Sequence, residues 1–150
     1  MKLIVGSDEK THLTDVVIDD LYKRGHTDAL AGPLRGDTLH WSRVAQEVAE
    51  CVARGEADEG ILFCWTGTGV SIAANKVPGI RAALVGDAET ARGARLWNRA
   101  NVLCLSLRAT PEIIAHEILD AWFGTPPGDD PGDLIAIEHV GKIEEKYSKC

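Results

Sequence analysis

The run Gly60-Ile61-Leu62-Phe63-Cys64 passes directly into Trp65-Thr66-Gly67-Thr68-Gly69 and then into the small residues Val70-Ser71-Ile72-Ala73-Ala74. A short run without polar alternation reads as a strand buried on both faces, and such strands belong to parallel sheets covered by helices. The Gly-Thr-Gly turn then leads into a helix. Gly67 and Gly69 reach backbone angles closed to other residues, so successive N–H groups can face one point and receive an anion there. Cys64, ending the strand, sits beside those N–H groups and the positive end of the helix dipole, and both favour thiolate over thiol. The stretch therefore offers a base or nucleophile next to an oxyanion site.

The rest of the chain repeats the alternation. Lys2 to Val5 reads as a strand that ends at Gly6-Ser7-Asp8, and Thr11 to Arg24 as an amphipathic helix. Thr27 to Ala31 is a weaker strand followed by a loop over Gly32 to Thr38. Trp41 to Arg54 carries Val44, Val48 and Val52 on one stripe and stops at Gly55. After the central strand, Gly60 to Cys64, come a helix from Gly69 to Lys76, a strand from Ile80 to Val85 and a polar helix from Ala88 to Trp97. Val102 to Leu107 is the fifth strand, and Pro111 to Phe123 a helix with proline in its first turn. Five strands alternating with five helices imply an α/β fold, a three-layer Rossmann-like sandwich on a five-stranded parallel sheet. Its ligands meet the carboxyl ends of the strands. Gly124 to Gly132, with three prolines, reads as a linker, and Leu134 to Lys149 as a charged terminal helix. The expected organisation is one domain, with residues 1–125 carrying the sheet and 126–150 a linker and a helix that docks on a partner subunit. The expected assembly is a homodimer, or a dimer of two such dimers.

A formal charge of −7 argues against nonspecific binding to nucleic acid or an anionic membrane, which leaves a small polar ligand. No stretch approaches the roughly 20 apolar residues of a membrane span. Cys51, Cys64, Cys104 and Cys150 form no C-x-x-C pair, so neither a metal nor a cofactor is expected, and Cys51 and Cys104 read as packing residues. A reducing cytoplasm fits that cysteine usage.

The Cys64-x-Thr66-Gly67-x-Gly69-x-Ser71-Ile72-Ala73-Ala74-Asn75-Lys76 run, with Pro78-Gly79-Ile80-Arg81-Ala82-Ala83 after it, resembles the signature of the ribose-5-phosphate isomerase B and galactose-6-phosphate isomerase family. Gly6-Ser7-Asp8, Gly55 to Leu62, Thr90-Ala91-Arg92, and Asn98 with Ala100-Asn101-Val102-Leu103 resemble it in the same order, over about the first 125 residues. The resemblance implies a metal-independent aldose–ketose isomerase of sugars or sugar phosphates that works through a cis-enediolate. Cys64 would be its base. The N–H groups of Gly67, Thr68 and Gly69 would hold the enediolate oxygen, with Ser71 in the same turn and Thr66 as proton carrier. Asp8 would accept hydrogen bonds from sugar hydroxyls, or simply cap the following helix. Asn98 falls at a family position near the substrate, and Arg108 at that of an arginine used for the phosphate.

Departures from the pattern fall where they would change the substrate. Trp97 stands where the ribose 5-phosphate enzymes carry the histidine assigned to opening the furanose ring, and Glu9 stands where a histidine follows the aspartate. Glu138 and His139 occupy the place of an arginine pair on the terminal helix. Trp41, Trp65 and Trp97 replace a commoner tyrosine, glycine and histidine, and their indoles can stack on a sugar face or fill a smaller pocket. These changes point to an altered sugar, free or phosphorylated. The competing expectation is a catalytically lapsed module that binds a sugar or anion without turnover. His40 is the one remaining histidine within reach of the site.

Overall fold

The computed structural model describes residues 1–148; Lys149, the expected end of the terminal helix, and Cys150 lie outside the described residues. Five strands form one sheet: β1 (Lys2–Ser7), β2 (Thr27–Ala31), β3 (Glu59–Cys64), β4 (Ala82–Leu84) and β5 (Val102–Ser106). All neighbours run parallel, in the order β2-β1-β3-β5-β4. The helices are α1 (His12–Lys23), α2 (Trp41–Ala53), α3 (Thr68–Ala74), α4 (Ala88–Asn98), α5 (Glu112–Gly124) and α6 (Pro131–Tyr147). The α/β sandwich expected from the strand–helix alternation is what forms.

Alternation within each strand divides the core into two layers. Leu3, Val5, Ile61, Phe63, Leu103 and Leu105 face α1, α4 and α5, while Ile4, Leu62, Cys64, Val102 and Cys104 face α2 and α3. Every residue of β3 is buried, which explains why its run carries no polar alternation. Each fully buried aliphatic or aromatic side chain contributes about 1.5–3 kcal/mol to folding, so β3 anchors both layers. The close approach of α2 to the sheet needs a glycine in β1: a Cβ on Gly6 would come within 2.7 Å of Val44 and 2.8 Å of Val48.

Boundaries differ from expectation where capping decides them. Thr11 and Thr14 form a reciprocal capping box, so α1 begins at His12. β4 is confined to three residues at the sheet edge, where the Asn75 side chain stands in for a sixth strand. Its Oδ1 accepts from Ala82 N–H at 2.8 Å and its Nδ2 donates to the Ala82 carbonyl at 2.9 Å.

The segment expected as a free linker is tied down. Arg99 Nε donates to the Gly128 carbonyl at 2.7 Å, Gly128 N–H donates to the Arg95 carbonyl, and a Cβ on Gly128 would collide with the Leu96 carbonyl. Asp130 then caps α6 through the N–H groups of Gly132 and Asp133, so this helix starts three residues earlier than its charge pattern suggests. No residue of α6 is buried, and Leu134, Ile135, Val140, Ile143 and Tyr147 are exposed.

Candidate active site

At the carboxyl end of β3 the chain turns through Trp65 and Thr66 to Gly67, whose φ of 75° lies in the left-handed region that glycine enters without a Cβ penalty. A Cβ there would also meet Leu84 at 2.5 Å and the Leu105 backbone at 3.0 Å. α3 starts at once, and no side chain caps it. The first-turn N–H groups of a helix have no partner within it, so those of Thr68, Gly69 and Val70 are left for solvent or a ligand. At the lip of this amide cradle the hydroxyls of Thr66 and Thr68 are hydrogen-bonded at 2.7 Å.

Cys64 lies beneath that turn on the α2 and α3 face, in the cluster that holds Val70, Ala74 and Cys104, and only 5% of it is exposed. This is more enclosed than a thiol opening onto the cradle would be. Cys104, on the adjacent strand, is fully enclosed, and burial pushes its thiol far above the ordinary range, so it stays neutral as its expected packing role requires. The pairing of Ser7 with Phe63 brings Asp8 level with Cys64. Buried Ser7 shapes this turn: its Oγ donates to the Glu9 carbonyl at 2.6 Å and accepts from Glu9 N–H at 3.2 Å. Burial raises the Asp8 carboxyl above its usual range, against an opposing backbone hydrogen bond. Trp41 lays its indole against Gly69, where a Cβ would meet ring atoms at 2.9–3.2 Å.

On the other side of the cradle, Thr66 and Arg108 line one cleft of about 330 Å³ with Leu84, Gly86, Ser106 and Thr110. Arg108 N–H donates to the Trp65 carbonyl at 2.9 Å and Leu107 N–H to the Cys64 carbonyl at 3.0 Å, so the arginine is rooted beside the turn. Ser106, which sequence reasoning missed, holds the same carbonyl: its Oγ donates to Trp65 at 2.9 Å and accepts from Ala109 N–H at 3.0 Å. A serine closing an otherwise apolar fifth strand was the available signal.

Asp8, Glu9, Trp41, Cys64, Trp65, Thr66, Gly67, Thr68, Gly69, Ser71 and Arg108 thus all belong to the carboxyl end of the sheet or to α3 at its start. Trp97 and Asn98 do not join them within the chain. They end α4, an 11-residue helix that carries them about 16 Å back toward the amino end of the sheet. There Asn98 borders a groove of about 700 Å³ with Arg81, Val140, Ile143 and Tyr147, between α6 and the sheet edge. Trp97 is 61% exposed and folds back on Gly93. Glu138 pairs with Lys142 at 3.2 Å on the surface of α6. Among the described residues no group of three His, Cys, Asp or Glu is placed to hold a metal ion, and no helix is long and apolar enough to cross a membrane.

Residues 3–133 match the model of a family described as Ribose/Galactose Isomerase. A D-erythrulose-4-phosphate isomerase 2 of Mycolicibacterium smegmatis is 36% identical over 130 residues, covering 83% of this chain and 84% of that protein. Ribose-5-phosphate isomerase B of Escherichia coli is 39% identical over 108 residues, 72% of each chain. The solved structure of Clostridium thermocellum ribose-5-phosphate isomerase B superposes with a TM-score of 0.92 at 38% identity, covering 99% of this chain and 100% of that one. The chain belongs to the ribose/galactose isomerase family and is an aldose–ketose isomerase.

Proposed function

We propose that the protein interconverts a phosphorylated aldose and its ketose, with Cys64 as the base and the α3 amides as the oxyanion site. The observation that carries this reading is the uncapped first turn of α3, which follows within four residues of Cys64 at the carboxyl end of β3. The Cys64 thiolate removes the proton from the carbon beside the carbonyl, and the charge that develops on oxygen meets the cradle N–H groups. One such donor contributes on the order of 10²- to 10³-fold in rate. Thr66 carries the hydroxyl proton between the two oxygens, and the proton on sulfur returns to the neighbouring carbon. Atoms and electrons balance without a metal or redox cofactor. Asp8 holds sugar hydroxyls, and Arg108 takes the phosphate at the cleft it shares with Thr66.

The working unit in this reading is a dimer. The exposed apolar side chains of α6 are covered by a second copy, and Trp97 and Asn98 of that copy complete each site, which accounts for the family-matched Asn98 and the substituted Trp97 beside it lying at the wrong end of their own sheet. The relatives' names supply two candidate substrates, D-erythrulose 4-phosphate and ribose 5-phosphate. The test is deuterium uptake from heavy water into a panel of tetrose, pentose and hexose phosphates and the free sugars. Uptake at the carbon beside the carbonyl is expected for at least one phosphate, and an exchange-silent protein that still binds a sugar contradicts the proposal. Mixing Cys64→Ala with Asn98→Ala protein tests the shared site. Mixed dimers with one intact site should regain turnover that neither variant has alone.

A further inference from the structure

Ser106 closes β5 in register with Cys64, the last residue of β3. Beyond that pair the two segments stay joined by main-chain bonds from Leu107 N–H to the Cys64 carbonyl and from Arg108 N–H to the Trp65 carbonyl. The serine hydroxyl adds a third link, and of the three it alone is made by a side chain. It donates to the Trp65 carbonyl at 2.9 Å and accepts from Ala109 N–H at 3.0 Å, while the Ser106 carbonyl accepts from Thr110 N–H at 3.2 Å. One hydroxyl on a buried residue therefore holds both the turn that leads to Thr66 and Gly67 and the turn that carries Arg108. Thr66, Ser106 and Arg108 line the same cleft.

We propose that Ser106 is a positioning residue that fixes the spacing between the phosphate grip at Arg108 and the proton-transfer groups at Cys64 and Thr66, an inference that rests on the isomerase reading above. A sugar phosphate held at both ends spans a set number of bonds, so the two turns must keep one separation. Binding energy from the phosphate lowers the barrier at the reacting carbon only when it is transmitted to that carbon's position. A misplacement of about 1 Å can cost on the order of 10²-fold in rate. Without the hydroxyl the Trp65 carbonyl keeps a single donor, Arg108 N–H, and Ala109 N–H loses its acceptor. Each turn then gains freedom relative to the other. Ser106 acts through Trp65 and Ala109 and needs no contact with the substrate.

The experiment measures kcat and KM of wild type, Ser106→Ala, Arg108→Gln and the double variant on ribose 5-phosphate and D-erythrose 4-phosphate, with inorganic phosphate as competing ligand. S106A should lower kcat about tenfold on the sugar phosphate that wild type turns over. Its inhibition constant for inorganic phosphate should stay within about twofold of wild type, because a free ion does not bridge the two turns. With Arg108→Gln already in place there is no grip left to register, so adding S106A should change kcat/KM by less than about twofold. A loss as large in the Arg108→Gln background as in wild type would make Ser106 a local brace of the cradle and overturn the proposal. A loss confined to phosphate affinity, or unchanged kcat in S106A, overturns it as well and leaves the isomerase reading standing. A wild type inert toward every sugar phosphate removes both.

Discussion

At the amino end of β3, Glu59 and Arg95 are each 7% exposed and paired at 2.8 Å. Trp122 Nε1 donates to the second Glu59 oxygen at 2.7 Å, Arg95 Nη1 donates to the Ala100 carbonyl at 2.6 Å, and the guanidinium lies 5.0 Å over the Trp122 ring. The carboxyl end of the same strand is arranged the opposite way. There the helix start has no cap, two tryptophans are exposed, and an arginine borders a cleft. One end spends its polar groups on one another and fixes β3, α4 and α5 together; the other keeps its donors free. An unfilled helix start beside a rigid strand is useful only because the far end of that strand is locked. Stability and chemistry should therefore respond to different residues.

The largest separation should come from Arg95→Ala, which leaves the Glu59 carboxylate buried without its partner. Breaking such a pair costs about 3–5 kcal/mol, read as a drop in the urea midpoint, while the folded fraction should turn over substrate at the wild-type rate. Next is Gly67→Ala, which forces a Cβ into the left-handed region and against Leu84 and Leu105. Its strain of about 1–3 kcal/mol should lower both stability and turnover, blurring the division at the one place where fold and cradle share a residue. Thr66→Val should leave stability near wild type and slow turnover by about tenfold, roughly 1.4 kcal/mol in the barrier.

The smallest effect is a pH dependence. Burial first, and a neighbouring Asp58 after it, raise the Glu59 carboxyl above its usual 4.5, against the hydrogen bond from Trp122 and the attraction of Arg95. As pH rises, the unfolded chain gives up this proton before the folded one does, so stability from this group is full below 4.5 and is lost as pH passes the folded value. Glu59→Gln cannot titrate. Between about pH 4 and about pH 8 the urea midpoint of the wild type should fall relative to that of E59Q, and a difference independent of pH would mean that burial does not raise this carboxyl.

The uneven legibility of the two ends has physical causes. The left-handed turn was readable because the backbone at Gly67 demands glycine, and the order of turn and strand then locates the cysteine. Gly69, expected to share that backbone freedom, has no left-handed φ and is glycine because the Trp41 indole leaves no room for a Cβ. The division of the core into two layers followed from the unbroken apolar runs. The amino-end lock was not readable, since Glu59, Arg95 and Trp122 are distant in the chain and each taken alone looks like a surface charge or a core aromatic. The tied-down linker was hidden for a similar reason: proline and glycine between Gly124 and Gly132 signal irregular backbone but not what that backbone touches. Trp97 and Asn98 were grouped with the site by family position, and only the course of α4 shows that their own chain carries them away from it.

In the proposed reaction the sulfur of Cys64 is the group that moves the proton. Deuterium exchange into the turned-over sugar phosphate by Cys64→Ala, measured alongside its affinity for the same ligand, tests this most directly. Loss of exchange by about 10³-fold or more with binding and folding retained is the predicted result, the magnitude at which general-base groups act. Exchange within a few fold of wild type would contradict the claim and assign the proton to another residue at this edge.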